Sequence, residues 1–280
     1  MSVELPEARI LAEQMNAELP GKKVQSIQIR DYERLLKIGF MNKDTRDYER
    51  LVDGTVMSTT SRGNTVLTKL DNGMNLLIAL EYGGRVLYHD DGDSATAKYH
   101  LRLNFEHGTA LTVRLTSMGV IQAVDDTGLE SSYVYRRDFS DKLSPGDEDE
   151  FTLERFAGLL AERNHQLKQV LVGKNAVVVG LSNSAYQDVL FRVGLYPKRK
   201  ASSLDEDEVR SLHGAIVTLI RERLRLGGKD RFQDLYGAQG KYVPAMGPNM
   251  RGQPCNVCGT QVERLSIGGG QTYLCPKCQQ

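Results

Sequence analysis

GLSNSAYQDVLFRVGLYPKRKASSL, residues 180 to 204, decides how the second half of this chain folds. Ser182 to Val193 reads as a helix, and a basic run, Pro197-Lys198-Arg199-Lys200, follows it. Ser203-Leu204-Asp205-Glu206 has the form of a capping box and predicts the start of a longer helix. The core face of that helix is Val209, Leu212, Ile216, Leu219 and Ile220, and Gly227-Gly228 stops it. Upstream, Phe151 to Arg163 predicts one helix and Leu167 to Val172 begins another element. The second half is therefore helical.

The first half has another period. After Pro6, the residues Ala8, Leu11, Ala12, Met15 and Leu19 recur at helical spacing up to Gly21. From Lys22 to about Val124 come short β-rich runs: SIQI, TVLTKL, NLLIAL, RVLYH, HLRLNFE, ALTVRL and GVIQAV. Turn signals such as Asp71-Asn72-Gly73 and His107-Gly108 separate them. Many short strands without intervening helices predict a β-sandwich or barrel. Residues 126–150, polar and ending in GDEDE, read as a linker.

All four cysteines fall in the last 26 residues, as Cys255-Asn-Val-Cys258 and Cys275-Pro-Lys-Cys278 separated by a 16-residue gap. Two CxxC pairs joined by a span long enough for a hairpin predict a tetrahedral zinc site. The competing reading is a redox dithiol or unrelated free thiols. Four protein ligands leave the metal no open position, so the zinc expected is structural. Ser266 to Thr272 would form the hairpin tip; its glycines suit close approach to a phosphate chain and equally a plain tight turn. The five histidines, His89, His100, His107, His165 and His213, have no ligand spacing.

Composition excludes some classes. With 36 basic and 36 acidic residues the formal charge is zero, which argues against binding nucleic acid by bulk charge alone. The charges are nonetheless sorted: acids crowd 146–150 and 205–208, bases 197–200 and 221–231, each also readable as a solvated face. No stretch reaches the roughly 18 apolar residues of a membrane span and no basic-then-apolar leader opens the chain, so a cytoplasmic protein is expected.

The chain opens MSVELPE, with two carboxylates beside the amino terminus. An ELPE start, a β-rich first half, Gly180–Leu204 and a terminal four-cysteine hairpin together resemble the formamidopyrimidine-DNA glycosylase and endonuclease VIII family of base-excision repair. The resemblance covers essentially the whole chain. It implies an α+β multidomain architecture: an N-terminal helix and β-sandwich (1–125), a linker (126–150), a helix-two-turns-helix DNA-binding domain (151–240) and a zinc-finger β-hairpin (250–280). It also implies a monomer on damaged double-stranded DNA in a bacterial- or archaeal-type cell, nucleoid-associated.

Family members flip a damaged base, release it, and cut the strand by β-elimination through a Schiff base on the N-terminal residue, usually proline. An α-amine suits this because its pKa near 8 leaves an appreciable neutral fraction at pH 7. By resemblance, Glu4 is the catalytic glutamate and Glu7 a second acid. Asn183 is the phosphate-holding asparagine, and Cys255, Cys258, Cys275 and Cys278 are the zinc ligands. Lys198, Arg199 and Lys200 are further phosphate candidates, with Gln271 and Thr272 on the finger.

Four departures are visible. Val3, preceded by Ser2, stands in place of the proline, so the working amine is that of Ser2 or, after trimming, of Val3. Asn64 follows Arg62-Gly63 where a lysine is usual, and Gly270 replaces the finger arginine. Leu80-Glu81-Tyr82-Gly83-Gly84 and Thr116-Ser117-Met118-Gly119 replace the hole-filling residues, leaving Tyr82 or Met118 as the wedge. The expected function is a DNA glycosylase with AP lyase activity. The alternatives are a catalytically impaired binder of distorted DNA and, more remotely, a zinc-ribbon interaction module.

Overall fold

The computed structural model describes residues 3–81, 83–92 and 98–280, so Ser2 and Tyr82 lie outside the described residues. The chain divides into two compact units. The first comprises 1–140 and 226–241, the second 141–225 and 242–280.

The first unit begins with α1 (Leu5–Glu18), β1 (Val24–Ile29), α2 (Glu33–Lys37) and α3 (Arg46–Glu49). Then follow β2 (Val56–Arg62), β3 (Thr65–Leu70), β4 (Met74–Ala79), β5 (Gly84–His89), β6 (Leu101–Phe105), β7 (Ala110–Leu115), β8 (Val120–Asp125) and α4 (Tyr133–Asp138). Two four-stranded sheets result, ordered β1-β6-β7-β5 and β2-β3-β4-β8, with neighbouring strands antiparallel. Both contribute to one core: Val66, Leu76 and Ile78 from one sheet, Val86, Leu103 and Val113 from the other, and Leu11 and Met15 from α1. This is the expected sandwich with its N-terminal helix.

Each of the seven expected β runs supplies a strand. The additional strand, β2, has the sequence VMSTTSR, too polar to register as apolar alternation. What holds it is cross-strand pairing: Thr59 faces Thr68 of β3, their hydroxyls 3.0 Å apart. The stretch read as a linker contains α4 and a 3-10 segment over Asp126–Ser131. Residues 226–241, placed with the helical part in the sequence reading, pack with the first unit.

The second unit carries α5 (Leu153–Ala161), α6 (Leu167–Leu171), α7 (Asn183–Arg192), α8 (Glu206–Arg225) and the antiparallel hairpin β9 (Glu263–Ile267) and β10 (Gly270–Leu274). The cap of α8 lies two residues later than expected. Glu208 N–H donates to Asp205 Oδ1 at 2.8 Å and Asp205 N–H to Glu208 Oε2 at 3.1 Å, while Ser203 belongs to a preceding 3-10 turn. Of the expected core face, Leu212, Ile216, Leu219 and Ile220 are buried and Val209 is half-buried. Arg223 joins that buried face, its guanidinium over the Tyr242 ring. Among the described residues no helix is long and apolar enough to cross a membrane.

Candidate functional site

Two carboxylates are buried at the start of α1, and local sequence explains how. Pro6 sits in the first turn, where a missing N–H costs nothing. Glu4 is the N-cap, and the Glu7 carboxylate reaches back to accept the Glu4 N–H at 3.0 Å. Both acids are fully buried. The segment after α8 supplies the compensating charge: Lys229 Nζ lies 2.8 Å from Glu4 Oε2 and 3.8 Å from Glu7 Oε2. Lys229 N–H also donates to Glu7 Oε1 at 3.1 Å. Gly228 makes this approach possible. It has φ +88°, and a Cβ there would lie 2.6 Å from the Phe232 ring and 3.1 Å from Glu7 Cγ.

Val3 is 6% exposed, its side chain in the core and its N–H donated to Leu80 O at 3.0 Å. Glu4 and Glu7 are thus brought together at the start of α1. Lys229 was missed: in the sequence it is one base of the cluster at 221–231, and nothing there separates it from a solvated lysine.

A second charged cluster lies under the Arg62-Gly63-Asn64 turn. Asp138 accepts from Asn64 N–H at 3.1 Å, from Thr65 Oγ1 at 2.7 Å and from both Nε and Nη2 of Arg137 at 2.8 Å. Arg137 also pairs with Glu81. Gly63 has φ +56°, and a Cβ there would strike Asp138 Cγ at 2.6 Å. The Arg62 guanidinium donates to Ser140 O at 3.2 Å, and Asn64 Oδ1 is buried with no hydrogen-bond partner among the described residues. Arg137 and Asp138 gave no sequence signal, because they lie in the stretch read as a linker. Also in this unit, Gly83, Gly84, Arg85, Thr116, Arg231, Gln233 and Gln239 line a cavity of ≈ 330 Å³. Met118 is 43% exposed.

In the second unit α7 meets the hairpin. Asn183 opens α7 and its Nδ2 donates to Gln271 O at 2.6 Å. Gln187, one turn on, accepts from Tyr273 N–H at 2.6 Å. Asn183, Gly270 and Gln271 are therefore neighbours, and Thr272 is buried in the same strand. Lys198 and Lys200 are exposed, whereas the Arg199 guanidinium is held by Glu208 and by Ser203 O. Lys168 of α6, buried and unremarked in the sequence, donates to Ile267 O, and burial lowers its pKa.

The four cysteines converge. Their Sγ atoms all lie within 4.8 Å of one another, with Cys255 to Cys278 at 3.9 Å and Cys258 to Cys275 at 3.4 Å, and none is in a disulfide. Four thiolates on a tetrahedral zinc with Zn–S near 2.3 Å stand about 3.8 Å apart. Without a cation the thiols compete: hydrogen bonds from Thr260 pull Cys258 down to about 6, while the bond with Cys258 pushes Cys278 up to about 12. A divalent ion would satisfy all four, and these residues fit structural zinc. Such an ion ties β9 and β10 to the Cys255–Cys258 turn.

Three family descriptions match in chain order. Residues 3–116 match the formamidopyrimidine-DNA glycosylase N-terminal domain, 143–233 its H2TH domain, and 252–280 the zinc finger found in FPG and IleRS. The chain belongs to the formamidopyrimidine-DNA glycosylase family. The Streptococcus pneumoniae formamidopyrimidine-DNA glycosylase is 25% identical over 282 residues, covering 99% of this chain and 98% of that protein. A Bacillus cereus protein of the same name is 27% identical over 290 residues, with the same coverage. The fold matches that of Lactococcus lactis Fpg in complex with abasic-site DNA, at 22% identity, TM-score 0.82 and 99% coverage of both chains. Within this family, the buried Glu4–Lys229–Glu7 group lies at the amino-terminal end that the family description covers from residue 3.

Proposed function

We propose that this protein is a base-excision DNA glycosylase that binds damaged duplex DNA, extrudes the altered base and releases it. The observation that carries this reading is the Glu4–Glu7–Lys229 group: two fully buried carboxylates and a cation at the amino terminus of a chain with the family's full domain order. Burial of this kind is expensive and persists where the groups perform chemistry or hold a site together. In the proposal Glu4 moves a proton at the sugar or the leaving base, and Glu7 fixes the Glu4 backbone. The cavity beside Gly83-Gly84 receives the base, with the Gln233 and Gln239 amides able to donate and accept. Arg62 and Asn64 on the first unit bind DNA, as do Asn183, Lys198, Lys200 and the finger residues Gly270, Gln271 and Thr272 on the second. Arg199, occupied by Glu208, contributes less. The protein acts as a monomer.

Strand cleavage is the finer part of the proposal. The amine of Ser2, freed when Met1 is removed, forms the Schiff base with the abasic aldehyde, Val3 serving as spacer. A second reading, a damage binder without lyase chemistry, is supported by Asn64 and Gly270, which carry no charge where the family has a lysine and an arginine. The Val3 N–H, a backbone amide held on Leu80 O, speaks only against a trimmed chain with Val3 as the amine.

Borohydride trapping on abasic-site duplex separates the readings. The lyase predicts a covalent adduct whose peptide map ends at the amino terminus. Tight binding with no adduct, and no base release from an oxidised-purine duplex, would leave only the damage binder.

A further inference from the structure

Residues 231–240 turn back on themselves along the outer edge of β5 and carry part of the lining of the ≈ 330 Å³ cavity in the first unit. Gln233 pairs antiparallel with Gln239, Asp234 N–H donates to Ala238 O at 3.0 Å, and Gly240 N–H donates to Phe232 O at 3.0 Å. Two anchors hold this turn. Tyr88 N–H of β5 donates to Leu235 O at 2.9 Å, and the Gln14 side chain of α1 donates to Asp234 Oδ2 and accepts the Leu235 N–H, each at 2.9 Å. The opposite wall is backbone. Gly84 has φ +140°, and a Cβ there would lie 2.4 Å from Arg114 O and 3.0 Å from Leu80 Cδ2; Leu80 O is also the acceptor of the Val3 N–H. The side chains left to line the cavity are Arg85, Thr116, Arg231, Gln233 and Gln239, with no carboxylate among them. Arg85 and Arg231 are exposed, and neither has a hydrogen-bond or ion-pair partner among the described residues. Arg85 also stands directly opposite Arg114 in the β5–β7 register, an arrangement of like charges that an electron-rich neighbour relieves. The Gln239 Nε2 is held on Asp230 O, so what this side chain has free is its acceptor oxygen.

We propose that Arg85 and Arg231 select the base: they admit one whose outward edge is an imide, carbonyl–NH–carbonyl, and reject one with an amino group on that edge. The inference rests on the reading of this cavity as the receiver of the extruded base, and it names the substrate class. A guanidinium only donates, so the two arginines meet the carbonyl oxygens of an imide while the Gln239 oxygen accepts its N–H. An amino group would set donor against donor and stay unpaired in the cavity. Sites built on hydrogen bonds discriminate most strongly in this way, more so than sites that sort ligands by apolar shape. Oxidised bases of the uracil type and hydantoins present the imide edge. The turn is already fixed on β5 and α1, so the donors need little ordering when the base arrives.

The test uses the full chain and two duplexes of one sequence, carrying either 5-hydroxyuracil or 5-hydroxycytosine, which differ in a carbonyl or an amino group beside the ring N3. With enzyme in excess, the wild-type protein should release 5-hydroxyuracil about tenfold faster or more. Arg85→Met and Arg231→Met should each slow that release about tenfold and leave 5-hydroxycytosine near its wild-type rate, so that the ratio falls toward one. Affinity for a duplex with a tetrahydrofuran abasic analogue, which has no base, should not change. Arginines that only touch phosphates would slow both bases equally and weaken the tetrahydrofuran duplex; that result overturns the proposal. If neither base is released, the ratio is read from equilibrium binding of the two duplexes, and equal affinities overturn it. Wild-type protein that prefers the tetrahydrofuran duplex to an intact one but treats both bases alike overturns this inference alone. No such preference and no base release overturn the repair reading with it.

Discussion

Lys229 Nζ lies 2.8 Å from Glu4 Oε2, and both side chains are sealed from solvent. The pair joins the chain's first turn of helix to a segment 225 residues later. Removing the ammonium would leave Glu4 and Glu7 facing each other in a dry site. Lys229→Met is expected to cost about 3 to 5 kcal/mol of stability, the range for breaking a buried pair. Adding Glu4→Gln should recover part of that loss, since one uncompensated charge disappears. Denaturant unfolding of the two variants checks both steps, and a Lys229→Met protein as stable as wild type would show that the pair does not hold the site.

The zinc site predicts separable unfolding. The apolar cluster beneath the finger is small, built around Met246, Met250, Val262 and Tyr273 beside the cysteines, and such a module depends on its metal. A strong chelator, or Cys275→Ser, should remove one zinc per chain and abolish abasic-DNA binding. The sandwich core, which shares no residue with the finger cluster, should keep its unfolding transition. Metal analysis and a thermal scan before and after chelation check this.

Much of the fold was legible in the sequence because its signals are local. Period-two runs gave seven strands, Pro6 and Gly21 bracketed the first helix, and the doubled CxxC spacing gave the metal site. The polar strand β2 and the short α4 escaped because tertiary pairing holds them, not apolar period. The acids of the site were legible from Glu4 and Glu7. Their cation was not, since Lys229 becomes special only when Gly228 turns the chain against Glu7. The same applies to Lys168, Arg137 and Asp138, whose roles depend on neighbours distant in sequence.

His100 predicts an acid limb in stability. Its Nδ1 accepts the Leu115 N–H at 3.0 Å, so the ring is neutral there. Burial and then Arg114 lower its pKa below the ordinary 6.5, against a smaller opposing pull from Asp31. A lowered folded value means the unfolded chain binds more protons between the two values. This contribution is fully present above about 6.5 and is lost as pH falls below it. His100→Asn, whose amide oxygen can accept the same N–H, should flatten the pH dependence of the unfolding midpoint between pH 7 and 5. An unchanged slope would remove His100 from the account.

Asp138 predicts how the Asn64 turn is held. Its carboxylate gathers Thr65 Oγ1, the Asn64 N–H and two nitrogens of Arg137, and it is 2% exposed. Asp138→Ala leaves those donors without an acceptor and Arg137 with Glu81 alone. The expected loss is about 3 to 5 kcal/mol, as for a buried pair broken on one side. Asp138→Asn keeps one acceptor oxygen and should cost less, about 1 to 3 kcal/mol. The turn should also loosen in both variants, because Gly63 packs directly on Asp138. Amide hydrogen exchange at Asn64 and Thr65 reads this directly. Faster exchange there in Asp138→Asn, at an otherwise native pattern, is the expected result; unchanged protection would mean that the β2–β3 pairing alone sets the turn.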